Sequence, residues 1–161
     1  MNALRWTLLA LALLVLLAWL AGRFGALRGQ PPADLGVREG RLKPPARTPN
    51  SVSSQADLYP EHPMREYARI AALPASGGAA ASMARVRAAV ERLPGATVVE
   101  QRDDYLYAQF ETPAMRFVDD VEFWYDPAAE AIAVRSASRI GRKDFGVNRA
   151  RIEAIRGQLL H

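Results

Sequence analysis

The feature that most constrains the fold is a two-residue alternation of side chains near the carboxyl end of the chain. Within residues 116–125, one set of alternate side chains is apolar except for Asp119. This alternation is typical of a strand with one face on a hydrophobic core. Pro127 ends the pattern, because proline fixes φ and lacks a sheet donor. A second alternating segment at 130–139 follows, so the sequence predicts an antiparallel hairpin.

The register of this hairpin follows from matching its two apolar faces. A slip of one residue would turn every side chain to the opposite face, so the pattern allows one pairing. That pairing places Asp119 opposite Ser138 on the inward face. It also places Glu122 beside Arg135 on the outward face, where we interpret the two as a solvated ion pair worth about 0.2–1 kcal/mol.

Asp119 is an acid on an otherwise apolar face, where an unpaired carboxylate is costly. Serines of the second strand or an arginine of the next segment must therefore hydrogen-bond to it. We interpret it as a structural acid that ties the hairpin to the following loop. The predicted structural polar network comprises Asp119, Ser136, Ser138, Arg139 and Asp144.

A cationic run follows the hairpin at residues 139–151 and contains five cations and two glycines. Asn148 is predicted to be the N-cap of a closing helix, and a helix N-terminus beside arginines is typical of an anion site. The alternative is a solvated basic loop that Asp119 and Asp144 neutralise. The candidate anion or partner contacts are Arg135, Arg142, Lys143, Asn148, Arg149 and Arg151.

The hairpin and the cationic run read FVDDVEFWYDP at 117–127 and VRSASRIGRKDFGVNRARIEAIR at 134–156. These segments resemble the bacterial and plastid family known as domain of unknown function 1499. Residues 48–56 and 104–110 are also similar to that family's pattern, so the resemblance covers about residues 42–159. It implies an association with the envelope or plastid, but it brings no established activity and no catalytic residues. Members often carry two cysteines that this chain lacks.

The amino-terminal segment is almost wholly apolar, with WTLLALALLVLLAWLAG at residues 6–22. Its length is close to the ~20 residues that cross a bilayer as a helix. No clean cleavage site follows, so residues 1–23 are predicted to be an uncleaved single-pass anchor in the inner membrane. We expect the domain on the periplasmic side, because the short amino tail and the family resemblance favour export. The cations that follow the span favour the opposite orientation.

The rest of the chain divides into a linker and one domain. Residues 24–47 are rich in Gly, Pro and Arg and are predicted to be a flexible tether. Residues 48–161 are predicted to form a soluble domain, with a helix capped by Ser82, a hairpin at 97–111 that turns Val99 inward, the central hairpin and a last helix. This order predicts an α+β fold, a four-stranded antiparallel meander with both helices on one face, α-β-β-β-β-α.

The sheet face away from the helices is predicted to carry Tyr105, Tyr107 and Trp124, which is more aromatic than a solvated face requires. Our main hypothesis is a membrane-anchored envelope protein and non-enzymatic binding or structural module. Its contacts would be a lipid headgroup, another anionic ligand or a partner protein. One alternative is a hydrolase that uses Asp119 or Asp120 as a base beside the arginines. Another is an assembly factor for a membrane complex.

Composition bounds the remaining classes of function. The formal charge of +4 is small and scattered, and no stacking-aromatic motif accompanies it, so we expect no nucleic-acid partner. The chain has no cysteine, which excludes disulfides, thiolate nucleophiles and zinc-thiolate sites. His62 stands without neighbouring ligands, so we expect no metal and no cofactor.

Overall fold

Helix α1, Asn2–Arg23, is the first element of the computed structural model, which describes residues 2–160. The outermost predicted bounds, residues 1 and 161, lie outside that range. Within it, α1 is the one helix long and apolar enough to cross a membrane. Its end contacts the domain closely, because a Cβ on Gly22 would lie 2.6 Å from the carbonyl oxygen of Met115. Glycine is therefore required at this contact.

Six strands between residues 2 and 160 form one antiparallel sheet, in the order β1-β6-β5-β4-β3, with β2 also paired to β6. The strands are β1 Ser51–Ser53, β2 Leu73–Pro74, β3 Ala96–Gln101, β4 Tyr105–Glu111, β5 Val118–Asp126 and β6 Ala131–Ser138. The predicted meander corresponds to β3 through β6. The prediction of four strands is wrong, because β1 and β2 are too short to show an alternation.

The predicted register of the central hairpin is confirmed. Asp119 pairs with Ser138, and Glu122 pairs with Arg135, across β5 and β6. Phe123 lies opposite Val134 in the hydrophobic core. The burial of one apolar face therefore fixed the pairing, as the alternation required.

The helices of the domain are α2 Arg65–Ala68, α3 Gly78–Glu91 and α4 Val147–Leu159, and a single 3₁₀ turn spans Ala56–Leu58. Both long helices cover the same face of the sheet. Met83 and Val86 of α3 and Ile152 and Ile155 of α4 join one buried cluster with Phe123. The α+β class and the placement of two helices on one face agree with the prediction.

The helix starts differ from those predicted. Helices α3 and α4 begin after Gly77 and Gly146, which have φ of 74° and 83° and turn the chain into each helix. Ser82 lies inside α3, where its hydroxyl group accepts from the Ser76 N–H and donates to the Ser76 carbonyl. Asn148 lies inside α4. The two predicted N-caps are therefore wrong, because glycines upstream start each helix earlier.

Strand β3 is the outer edge of the sheet, and a β-bulge interrupts it between Val98 and Glu100. The bulge changes which side chains face inward. Val98 packs against the core, whereas Val99, predicted to point inward, is 51% exposed.

Residues 34–46, here called the strap, lie across the outer face of the sheet. Leu42 is 2% exposed and packs with Tyr105 and Trp124 of the sheet. The Gln55 side chain accepts from the Leu42 N–H at 2.8 Å and donates to the Gly40 carbonyl at 3.1 Å. These contacts differ from the flexible tether expected for this part of the chain. The strap also buries the aromatic outer face that was predicted to meet a partner.

Candidate functional site

Asp119 is buried and paired with an arginine. Arg151 Nη2 lies 2.5 Å from Asp119 Oδ2, and its guanidinium group stacks 4.6 Å from the Phe110 ring. Arg151 Nη1 also donates to Ser136 Oγ at 3.0 Å. Arg151, predicted as an anion contact, therefore serves as the internal partner of the predicted network.

Asn148 lies at the centre of the same network and is fully buried. Its Nδ2 donates to Asp144 Oδ2 at 2.9 Å and to Ser138 Oγ at 3.0 Å. Its Oδ1 accepts from Ser136 Oγ at 2.5 Å and from Arg151 Nη1 at 2.8 Å. Every hydrogen-bonding atom of this amide has a protein partner, which leaves none for a ligand.

Tyr67 is a member of this network that the sequence analysis missed. Its hydroxyl group donates to Asp144 Oδ1. Burial and the neighbouring carboxylate raise the pKa of Tyr67 to about 12. Burial works to raise the pKa of Asp144 as well, but the hydrogen bonds from Tyr67, Asn148 and the Gly146 N–H outweigh it and lower that pKa. Arg149 also contacts Tyr67, because its Nη2 donates to the Tyr67 carbonyl at 2.6 Å.

Arg139 lies apart from the network to which it was assigned. It extends to the opposite sheet face, where Nε and Nη2 donate to the two oxygens of Asp120 at 2.8 and 2.7 Å. Tyr107 Oη donates to Asp120 Oδ1 at 2.5 Å. Asp120 and Asp119 each hold an arginine, and both carboxylates are buried. This pairing favours structural roles over the general-base role of the hydrolase alternative.

The Glu122–Arg135 pair is buried beneath the strap. Its interpretation as a solvated pair is wrong, because the strap covers both side chains. Glu122 Oε1 accepts from the Gly36 N–H at 2.7 Å and from Tyr105 Oη at 3.0 Å. Among residues 2–160, Oε2 has no hydrogen-bond partner, and Arg135 Nη1 lies 3.7 Å away from it. Burial raises the pKa of Glu122 and lowers that of Arg135.

The raised pKa of Glu122 predicts a stability that depends on pH. The folded state holds the Glu122 proton more tightly than the unfolded state, whose carboxyl keeps its ordinary pKa of 4.5. The contribution of Glu122 to stability is therefore complete below that pH and is lost as the pH rises through the folded-state pKa. Relative to a Glu122→Gln variant, the wild type should therefore lose stability progressively as the pH rises from below 4.5 through neutral pH.

Denaturant unfolding of both proteins across this pH range measures the effect. The exposed Glu130 offers a matched control, since Glu130→Gln removes a carboxylate on the surface and leaves the buried pair intact. Parallel curves for wild type and Glu122→Gln would contradict the prediction.

Arg142 and Lys143 are the two predicted anion contacts that remain exposed. In the part of the chain that the structure describes, neither makes an ion pair or a side-chain hydrogen bond. They belong to the β6–α4 loop, residues 139–146. In the same loop, Phe145 is 89% exposed and holds a φ of 53°, a conformation that non-glycine residues rarely adopt.

This loop faces a turn at residues 112–117 across a cavity of about 270 Å³. Phe117 and Ile140 line the cavity together with Phe145 and Lys143. The cations and the exposed aromatic ring therefore lie beside the turn on which α1 ends.

Comparison with protein-family models identifies the family to which the chain belongs. A family model described as protein of unknown function, DUF1499, matches residues 41–159. The chain belongs to the DUF1499 family. No curated protein and no solved structure matches this DUF1499 chain.

The part matched to DUF1499 begins in the strap and ends with α4. It therefore includes the anchoring Leu42, the buried networks on both sheet faces and the β6–α4 loop, whereas α1 lies outside it. Within residues 2–160, no group of three or more His, Asp or Glu side chains could hold a metal ion. The candidate functional site of this DUF1499 domain is therefore the surface next to α1, where the predicted contacts Arg142 and Lys143 are exposed.

Proposed function

We propose that this protein is a membrane-anchored, non-enzymatic module of the cell envelope whose domain contacts the anionic surface of the membrane. The apolar α1 would be the single-pass anchor in the inner membrane, with the domain on the periplasmic side. The β6–α4 loop and the turn at 112–117 would form the contact. The lipid headgroups are then the anionic partner that the cationic run was expected to meet.

The observation that carries this proposal is the position of the end of α1. Gly22 lies against Met115, and Arg116 Nη1 donates to the Arg23 carbonyl at 3.3 Å. Arg28, five residues beyond α1, forms an ion pair with Glu111, at the end of β4. A bilayer crossed by α1 would therefore lie next to the turn and to the loop across the cavity from it.

The chemistry of this surface supports contact with lipid. Among residues 2–160, Arg142 and Lys143 form no ion pair. Each cation near an anionic membrane contributes about 1 kcal/mol. Phe145 is an exposed aromatic ring in the same loop, and Phe24, the first residue after α1, is exposed as well. Backbone strain at Phe145 is retained although the ring makes little contact with the domain, which supports a contact outside the domain.

A spin label at position 145 tests the proposal in the full chain. Because the chain has no cysteine, Phe145→Cys gives a unique attachment site. In vesicles of phosphatidylcholine with phosphatidylglycerol, we expect the label to be shielded from a water-soluble relaxing agent and accessible to oxygen. Arg142→Gln/Lys143→Gln should remove about 2 kcal/mol of attraction, a roughly thirtyfold fall in the ratio of docked to undocked domains.

Position 128 provides the matched control. Ala128 is exposed in the turn between β5 and β6, at the end of this hairpin remote from the β6–α4 loop. A label on Ala128→Cys should remain accessible from water in every vesicle. If the labels at 145 and 128 were equally accessible in anionic vesicles, the proposed contact would be excluded.

A further inference from the structure

We propose that the cavity between the strap and the outer face of the sheet is a binding site for a small molecule with one oxyanion group, a carboxylate or a phosphate. The cavity has a volume of about 290 Å³. Arg135 of β6 and Arg139, the first residue after that strand, form one wall, and the strap residues Pro44 to Ala46 form the other. This site does not depend on the membrane contact proposed above.

Two buried arginines present unused donors at this cavity. The side chains of Arg135 and Arg139 are 5% and 3% exposed. Arg135 uses Nε for the Pro44 carbonyl at 3.1 Å, and within residues 2–160 its Nη2 makes no hydrogen bond. Arg139 uses Nε and Nη2 for Asp120, which in the same range leaves Nη1 without an acceptor.

The two unused Nη atoms are not sealed inside the protein, since the buried side-chain atoms without a partner in residues 2–160 are Glu122 Oε2 and Gln158 Oε1. They are therefore accessible to a ligand that enters the cavity. Both arginines line one cavity, so a single ligand could accept from Nη2 of Arg135 and Nη1 of Arg139. A planar guanidinium group matches the two oxygens of a carboxylate or phosphate. The geometry therefore selects an oxyanion over a neutral ligand.

The balance of charge around the cavity also favours an anion. Asp120 neutralises Arg139, and Asp34 forms an ion pair with Lys43 at 2.5 Å. Within residues 2–160, Arg135 forms its one ion pair with Glu122, 3.7 Å away, and Asp120 and Asp34 act on its charge from farther away. The lining itself holds three cations, Lys43, Arg135 and Arg139, and one carboxylate, Asp120, so a bound oxyanion would offset an excess of positive charge.

The apolar part of the wall limits the rest of the ligand. Pro32, Pro44, Pro45, Ala46 and Ala137 supply carbon surface around the two arginines. A compact molecule with a hydrocarbon portion and one anionic end fits such a lining. A polyanion does not fit, because Asp120 lines the cavity as well.

The test is a titration of the full chain, labelled with ¹⁵N in a neutral detergent and followed by nuclear magnetic resonance. Inorganic phosphate and acetate are the probes, added separately. We expect saturable shifts of the Arg135 Nε signal and of the Ala137 amide, and the probe with the lower Kd identifies the preferred anionic group. Shifts that never saturate, or that are confined to Arg142 and Lys143, would overturn the proposal.

Three variants separate this site from other effects. Arg135→Lys keeps the charge but loses the fork of donors, so the Kd should rise about tenfold or more. Arg135→Met/Glu122→Gln removes both buried charges together, which protects the fold, and should abolish saturation. Arg142→Gln/Lys143→Gln should leave the Kd unchanged even where membrane contact is lost. Unaltered binding in a folded Arg135→Met/Glu122→Gln protein would exclude the site.

Discussion

Replacement of Arg151 by methionine is expected to lower the free energy of unfolding by about 3–5 kcal/mol. The change leaves the Asp119 carboxylate buried without its cation, and it removes a donor from Ser136 and Asn148. Removal of one partner from a buried pair costs far more than the pair itself contributes, because the remaining charge stays desolvated. Such a loss is a large part of the stability of a domain of this size.

Arg87→Met is the matched control for this prediction. Arg87 forms an exposed pair with Glu91 one helical turn away on α3, at 2.8 Å. Exposed pairs of this kind contribute only about 0.3–0.5 kcal/mol. Chemical unfolding of the full chain in detergent, followed by circular dichroism, compares the two variants. Equal losses from Arg151→Met and Arg87→Met would show that the Asp119 pair is not desolvated in the folded protein.

Replacement of Leu42 by alanine is expected to cost about 2–4 kcal/mol and to release the strap from the sheet. Leu42 is the buried anchor of the strap on Tyr105, Tyr107 and Trp124. Its truncation leaves a cavity above these rings, and Leu35 and Val37, the other strap residues packed on this cluster, are only partly buried. Water would then reach the Glu122–Arg135 pair, and the hydrogen bond from the Gly36 N–H to the Glu122 carboxylate would be lost.

Leu58→Ala separates this effect from a general loss of apolar surface. Leu58 is half-exposed at the end of the 3₁₀ turn, so its truncation should cost well under about 1 kcal/mol. Hydrogen exchange of the Gly36 and Leu42 amides provides the second measurement. Both amides should lose protection in Leu42→Ala and keep it in Leu58→Ala. A Leu42→Ala protein with wild-type stability and exchange would support a flexible tether instead.

The central hairpin could be predicted from the sequence because apolar side chains recur at every second residue, which is the period of a β-strand. Phe123 and its alternate neighbours on β5 must face the core, and that requirement sets the pairing with β6. The same pattern indicated that Asp119 is buried and needs a partner. The pattern did not identify Arg151 as that partner. Which arginine reaches Asp119 depends on the rotation of α4 relative to the sheet.

The strap could not be predicted by the same means. Leu35, Val37 and Leu42 are spaced irregularly among prolines, glycines and arginines, so no period reveals a buried face. Glu122 and Arg135 were interpreted as solvated for this reason, since alternation alone describes only one face of a sheet. Asn148 illustrates another difficulty, because an asparagine near a helix start is typical of a cap and gives no sign of a fully buried role.

The β-bulge in β3 affects how neighbouring copies of the chain can interact with one another. An unpaired strand edge is a template on which a strand of another molecule can add. The shift between Val98 and Glu100 breaks the run of backbone donors and acceptors, and the exposed pair of Glu100 and Arg102 places charges beside it. Copies of the chain at high local concentration would therefore meet an edge that is poorly suited to strand addition. This feature of β3 protects them against uncontrolled self-association.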